Sequence, residues 1–403
     1  MYKTKILKQS FLWALFWSIT LFSYGQRSKV TSGAMAVQDQ DYEKAIQYLQ
    51  EAISKPELLE QKDLAKAHAK LGQAYMGILS SGKKELIMKY PNIMTDAYNA
   101  FENAKKFDTD KKFANELKMG YAVLGPLFYQ TAFELYKQKM YKPALDFTDK
   151  AAKIFEEQKN PNIYGVFLLE GYCHAGANDS TKAAVSLEKA IKAHNQNPPK
   201  EPDPAIPSAY ALLGRIYAST NDYENMNRVF TEGKNKYPDN DEIRKNEILI
   251  YATNPALYDK ALAKFEQDVQ KNPNDELLKM AYAQLLESKD INKAIKVYES
   301  ILEKNPNNKD VLFNLGALYN NLGKEKYDKA NKSSDNNEYK KLIEDSKSDF
   351  RKALINIEKS YQLSENASVQ DKKAMLKALV QITTLLEENE KLKTYKAALD
   401  GLK

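Results

Sequence analysis

Three prolines, Pro238, Pro273 and Pro306, stand 35 and 33 residues apart, and each closes a stretch built on the same apolar skeleton. Ahead of them fall Met226-Phe230-Gly233, Ala261-Phe265-Asp268 and Ala294-Tyr298-Ile301. Each trio is spaced i, i+4, i+7, which places its side chains on one face of a helix. A second signature, Leu–Gly–x–x–Tyr, occurs at Leu71-Gly72-Tyr75, Leu213-Gly214-Tyr217 and Leu315-Gly316-Tyr319. From Gly214 to Gly316 is 102 residues, three times 34. A beat of that length limits the fold severely. One unit is too short to bury its own apolar face, so neighbouring units have to stack.

The glycines in this pattern need a reason. Gly214 and Gly233 sit inside otherwise good helix-forming sequence, where glycine costs ~1 kcal/mol relative to alanine. Taken together, these residues resemble the tetratricopeptide repeat. The resemblance implies an all-α fold, a right-handed α-α superhelical solenoid of helical hairpins. It also implies that a small residue on helix A meets a small residue on helix B, so Gly214 is expected to face Gly233. Tyr217, Tyr223 and Phe230 then fill the flanks, and Pro238 ends the unit.

Other units fit the same frame. They carry Gly33, Ala45, Leu49 and Ala52; Gly72 and Tyr75 with Ala97, Phe101 and Ala104; Ala132, Ala144 and Ala151; and Gly171, Ala183, Leu187 and Ala190. The eighth begins at Leu315 and resumes at Phe350, Ala353 and Ile357. A last pair of helices, near 371–386 and 389–402, reads as a polar cap. The expected organisation is a signal peptide at 1–25, an N-terminal array at 26–196, a connector at 197–207 and a C-terminal array at 208–403.

Three departures interrupt the array. The second repeat holds about 13 extra residues within "ILSSGKKELIMKYPNIM". The third extends its first helix backwards past Pro126, which is expected to kink it. The eighth gains about 25 residues, near 324–349, with "SSDNN" as a turn between helical arms of ~18 Å at 1.5 Å per residue. That insertion reads either as a lengthened hairpin or as a docking arm. The connector "NPPKEPDPAIP" has five prolines in eleven residues and is expected to be extended rather than helical.

The N-terminus has its own logic. "MYKTKILKQS" is basic, "FLWALFWSITLF" is apolar, and Ser23 and Gly25 are small. This is the layout of a secretory signal peptide, with cleavage expected near Gly25–Gln26. Its loss removes Lys3, Lys5 and Lys8 and takes the net charge from +6 to +3. No basic stripe points to nucleic acid. The single cysteine, Cys173, permits no internal disulfide, and no cysteine follows the apolar run to take a lipid.

Residues for chemistry are few. His68 and His174 fall at ring positions of helix A and read as packed substitutes for aromatics. His194 falls at the end of a helix B, where a cation favours the dipole. Cys173 and His174 are adjacent, so on a helix they diverge and form no dyad. "DTD" at 108 and "DNDE" at 239 read as helix N-caps rather than calcium loops. No catalytic, metal or cofactor motif is present, and a non-enzymatic protein without a cofactor is expected.

The resemblance further implies a concave groove lined by helix A residues that holds a partner peptide or helix. Its frame selects Tyr129, Phe133 and Tyr136 in the third repeat, Leu168 and Tyr172 in the fourth, and Ser208, Ala211 and Arg215 in the fifth. Aromatics beside an arginine suit a mixed apolar and acidic ligand. The family's carboxylate clamp is not met, because Ala283 replaces an asparagine expected near Lys279 and Asn314. Two functions compete: a scaffold or adaptor of a bacterial cell envelope with protein or peptide partners, and glycan capture at the outer membrane on a similar solenoid. Sugar-binding relatives present tryptophans, whereas both tryptophans here, Trp13 and Trp17, leave with the signal peptide.

Overall fold

The structure, a computed structural model, describes residues 24–402 and is built of helices, with no strand among the described residues. The signal-peptide assignment falls almost wholly on residues 1–23, which lie outside the described residues. Contacts divide the chain into two compact units, one ending at Gly233 and the other beginning at Lys234. The Pro-rich stretch 197–207 therefore lies inside the first unit.

The first unit starts with α1 (24–38) and α2 (Tyr42–Ile53), then α3 (Gln61–Ser81), the short α4 (Lys84–Lys89) and α5 (Ile93–Phe107). There follow α6 (Ala114–Lys137), α7 (Tyr141–Glu157), α8 (Ile163–Gly176), α9 (Ser180–Gln196), α10 (Ala205–Ser219) and α11 (Tyr223–Lys236), which crosses the dividing line. The second unit holds α12 (Asp241–Thr253), α13 (Tyr258–Lys271), α14 (Glu276–Leu286), α15 (Ile291–Leu302), α16 (Lys309–Lys332), α17 (Asn336–Gln362), α18 (Val369–Leu385) and α19 (Asn389–Asp400). Within each unit successive helices pair as hairpins, so the fold is an all-α helical-repeat solenoid. None of the described helices is long and apolar enough to cross a membrane.

One turn recurs. Gln40, Lys139, Asn178, Asn221 and Glu387 each have φ between 59° and 62°, and each follows the first helix of a hairpin. The next amide then bonds to a carbonyl five residues back: Asp41 to Ala36, Met140 to Leu135, Asp179 to His174 and Asp222 to Tyr217 at 2.9 Å, Glu388 to Thr383 at 3.0 Å. This closure satisfies carbonyls that a helix end leaves open. Asp41 and Asp179 also cap the next helix with their side chains. Hairpin reversal is thus closed by a local hydrogen bond.

The crossing points correct the expected pairing of small residues. A Cβ added at Gly214 would lie within 3 Å of the Phe230 ring, so the group that fills this notch is a large side chain, Phe230. Gly72 makes the same notch for Phe101, and Gly171 and Gly316 do so for Leu187 and Ile357. Glycine on one helix accommodates a large side chain from the other, which brings the axes close without an empty core. Phe101 is the extreme case. Gly120 of α6 meets the opposite edge of the ring that Gly72 meets, and Phe101 is 1% exposed. Tyr121 stands edge-on to it, with ring centroids 5.9 Å apart.

The departures are also visible. In the second repeat Gly82, at φ 65°, ends α3, α4 occupies the extra length, and Tyr90 packs edge-on against Tyr75. α6 is assigned as one continuous helix through Pro126. α10 begins at Ala205, so the last three residues of the expected extended connector are helical, with Ile206 and Pro207 buried. Proline is tolerated there because a helix's first turn has no intrahelical use for the missing N–H. The eighth hairpin turns at Ser333–Asp335, where Asp335 caps α17 through the amides of Asn337 and Glu338. Its two helices are 24 and 27 residues long, and residues 334–341 are exposed throughout. α19 buries none of its side chains, as suits a terminal cap.

Candidate partner-binding surface

The eight residues of the expected groove part company, and Ala211 of α10, 1% exposed, lines no surface. Tyr136 of α6 and Tyr172 of α8 come together across successive hairpins, their rings stacked at 6.2 Å and 26°. Tyr141, the first residue of α7, lies tilted against Tyr136 at 6.1 Å. The Tyr172 hydroxyl donates to the carbonyl of Ala205 at 3.4 Å, which ties the stack to the start of α10. Both rings are half-buried. Burial raises the Tyr136 phenol above its ordinary pKa, so it stays neutral and able to donate.

Tyr129 is half-buried and wedged against the interior, and burial pushes its phenol up as well, with a further contribution from Asp203. Leu168 is 6% exposed and presents nothing to a partner. Its repeat position is right for a groove, but α8 is apolar on nearly all sides and this side of it is covered. Phe133 is exposed at 43%, with the Lys137 ammonium 5.2 Å over its ring. Arg215 is exposed on α10 and makes no ion pair among the described residues.

Phe133 does not stand alone. Met119 and Val123 are exposed at 71% and 47%, and Pro126 is exposed too. Positions 119, 123, 126, 130 and 133 are spaced by three or four, so they form one stripe along α6. With 14 residues between its ends the stripe is about 21 Å long at 1.5 Å per residue. Sequence reasoning missed Met119 and Val123 because an apolar residue at helical spacing reads as core.

A second hollow lies between α9, the end of α10 and the start of α11, with a volume of about 640 Å³. Val185 is exposed on its wall. Glu188 accepts from the Tyr217 hydroxyl at 2.9 Å and pairs with Arg228 at 2.5 Å. Burial first, then Glu188, pushes the Tyr217 phenol up to about 12.

The groups considered for chemistry are packed. His68 stacks on Phe107 at 5.8 Å and 11°, and burial lowers its pKa. His194 lies in the last turn of α9, where the sequence put it, and is 7% exposed and edge-on to Tyr164 at 5.1 Å. Cys173 is fully buried, and burial pushes its thiol up to about 11, away from the thiolate a nucleophile needs. Asp108 stands at the C-terminal end of α5 and accepts from the amides of Lys112 and Phe113 rather than capping a helix N-terminus, and in the second run Asn240 caps α12. Among the described residues no cluster of three or more potential metal ligands forms.

Residues 277–308 and 297–330 each match the tetratricopeptide repeat. A comparison with curated proteins gives no match. Among solved structures, the chain is similar to the TPR domain of P58(IPK), at 15% identity over 91% of this chain and 99% of that one, with a TM-score of 0.30. It is also similar to a tetratricopeptide repeat protein from Parabacteroides merdae, at 13% identity over 77% and 99% of the two chains and a TM-score of 0.31. YrrB, a TPR protein with an unusual peptide-binding site, matches at 14% identity over 60% and 86%, with a TM-score of 0.25. These overlays are loose, and the assignment stands instead on the matched repeats and on hairpins that cross at glycine notches. Residues 277–330 are tetratricopeptide repeats, set within an all-α helical-repeat solenoid.

Proposed function

We propose that this protein is a non-enzymatic scaffold of the bacterial cell envelope that holds a partner peptide or helix along α6 and α8. The observation that carries the reading is the Tyr136–Tyr172 stack, which joins two hairpins into one aromatic surface beside the exposed Phe133 and its stripe. Half-buried aromatics suit this work: they are held in place by their own packing and lose little freedom when a partner covers them. The export part of the proposal is supported by the basic and apolar order of residues 1–25. Glycan capture has no tryptophan platform in the chain after Gly25 to support it.

The test is the double variant Tyr136→Ala/Tyr172→Ala together with Phe133→Ala, assayed by capture of partners from the native envelope and by thermal unfolding. Phe133→Ala is expected to weaken capture by ~1–2 kcal/mol with an unchanged melting temperature, because its ring is exposed. The double variant is expected to lower both capture and stability. Full capture by both variants would sink the groove assignment. N-terminal sequencing of the native protein is expected to begin at or close to Gln26; a sequence beginning at Met1 would overturn export.

A further inference from the structure

A hollow of about 390 Å³ opens where α5 ends, α6 begins and α7 ends. Its floor is apolar and comes from one face of α6: Ala114, Leu117 and Tyr121, the last two 6% and 3% exposed. Four lysines stand at its lip. Lys105 comes from α5, Lys111 from the turn before α6, Lys118 from α6 and Lys159 from the turn after α7.

Two carboxylates line the hollow against four lysines, which leaves it net positive. Glu157 pairs with Lys105 at 2.6 Å. Asp108 accepts from the amides of Lys112 and Phe113 at 2.9 and 2.7 Å and so fixes the turn. Lys111, Lys118 and Lys159 make no ion pair among the described residues. Lys111 and Lys159 are also held in place. Their φ values are 57° and 51°, and the amide after Lys159 bonds back to Phe155 at 2.8 Å, so neither turn is slack. Three unpaired cations brought from separate elements to one apolar hollow repel one another, and an anionic occupant relieves that repulsion.

We propose that this cleft binds an acidic peptide segment carrying one large apolar side chain. The apolar group fills the hollow over Leu117 and Tyr121, and flanking carboxylates meet Lys111, Lys118 and Lys159. The volume lies within the ~300–1,000 Å³ of typical ligand sites and admits one aromatic side chain with its neighbours. A small dicarboxylate would leave the apolar floor wet, and a polyphosphate has nothing to place on it. The cleft shares no residue with the Tyr136–Tyr172 surface, so either can fail without the other.

Fluorescence anisotropy on the full-length chain with a labelled Glu-Asp-Glu-Phe-Glu-Asp-Glu peptide tests the proposal. Saturable binding is expected, weakening with salt. It should fall roughly tenfold or more in Lys111→Glu/Lys118→Glu, since lip charges act together on an anionic ligand. Replacing the peptide's phenylalanine by serine should weaken it comparably. The control Lys200→Glu/Lys377→Glu makes the same change in net charge at positions that do not line the cleft and should bind as the parent does. All four lysines are exposed, so circular dichroism melting should stay within about 4 °C of the parent. Equal loss in the control, or equal binding of the serine peptide, would reduce the effect to bulk charge and overturn the proposal. No saturable binding of the peptide would overturn it too. Lysine-dependent binding of phosphatidylglycerol vesicles without peptide binding would replace the peptide by a membrane surface.

Discussion

The α3–α5 hairpin and the α12–α13 hairpin meet one demand, two helices crossing at close range, with opposite materials. In the first, Gly72 leaves a notch, Phe101 fills it, and Gly120 closes over the other edge of the ring. In the second, Phe265 shares its surroundings with a buried carboxylate, Glu247, beside a cavity of about 150 Å³. Lys234 holds Glu247 at 2.6 Å and Lys264 approaches it at 3.6 Å, while Lys264 also pairs with Asp268 at 3.1 Å. Arg244 pairs with Asp275 nearby. Burial is the largest single influence on Lys264 and pulls its pKa down, yet Glu247 and Asp268 together outweigh it. The lesson is that a repeat frame prescribes where two helices touch and not what they touch with. Dry packing is indifferent to salt, whereas an ionic crossing is sensitive to it.

The largest effect is expected from Phe101→Ala. It removes a ring buried between two backbones that are already close and leaves a cavity that cannot collapse without moving α3 or α6. A loss of ~3–5 kcal/mol is expected by denaturant unfolding, with hydrogen-exchange protection falling in α3, α5 and α6. A cost under about 1 kcal/mol would show that the clamp is slack.

Glu247→Gln comes next. It keeps the shape but leaves Lys234 and Lys264 facing a neutral group, at ~1–3 kcal/mol. The lower half of that range is favoured because both lysines are close to a third exposed. The unfolding midpoint of this variant should depend less on salt than the parent's, and an unchanged salt dependence would remove the ionic account of this crossing.

The smallest effect concerns pH in the dry hairpin. His68 is kept neutral by burial against Phe107, with its pKa below the ordinary value. The unfolded chain takes up the proton near pH ~6.5 while the folded chain resists it. Stability is therefore full above that value and falls as pH drops through it, since the unfolded state then binds more protons. His68→Phe should flatten the decline in melting temperature between pH 7.5 and 5. His174, also lowered by burial, leaves a residual slope. Parallel curves for parent and variant would exclude His68 as the source.

Much of this was legible in the sequence, for reasons that differ by residue. The hairpins follow from the beat of Leu–Gly–x–x–Tyr and from the i, i+4, i+7 trios, because a helix face is periodic. The turn of the long hairpin was legible because Ser333 and Asp335 favour caps over helix interiors. The partner of Gly214 was not, since a glycine reports only that something comes close; Phe230 was already assigned to the flank. Gln40, Lys139 and Glu387 gave no signal at all. Their left-handed backbone is imposed by the closing hydrogen bond rather than invited by a glycine or asparagine. The groove was half legible. Frame positions singled out Tyr136 and Tyr172 together, but frame alone does not give depth, so buried Leu168 was placed in the groove and exposed Met119 was passed over.

Phe101 has one more consequence, and it concerns time rather than stability. The two glycines that grip its ring, one before it and one after, both lie within a single repeat length along the chain. Closing loops that short costs little entropy, and contacts that local form early. The ring can therefore gather α3, α5 and α6 with no help from distant residues. During synthesis this first core can assemble while the C-terminal repeats are still unmade, giving each later hairpin an ordered surface to dock on.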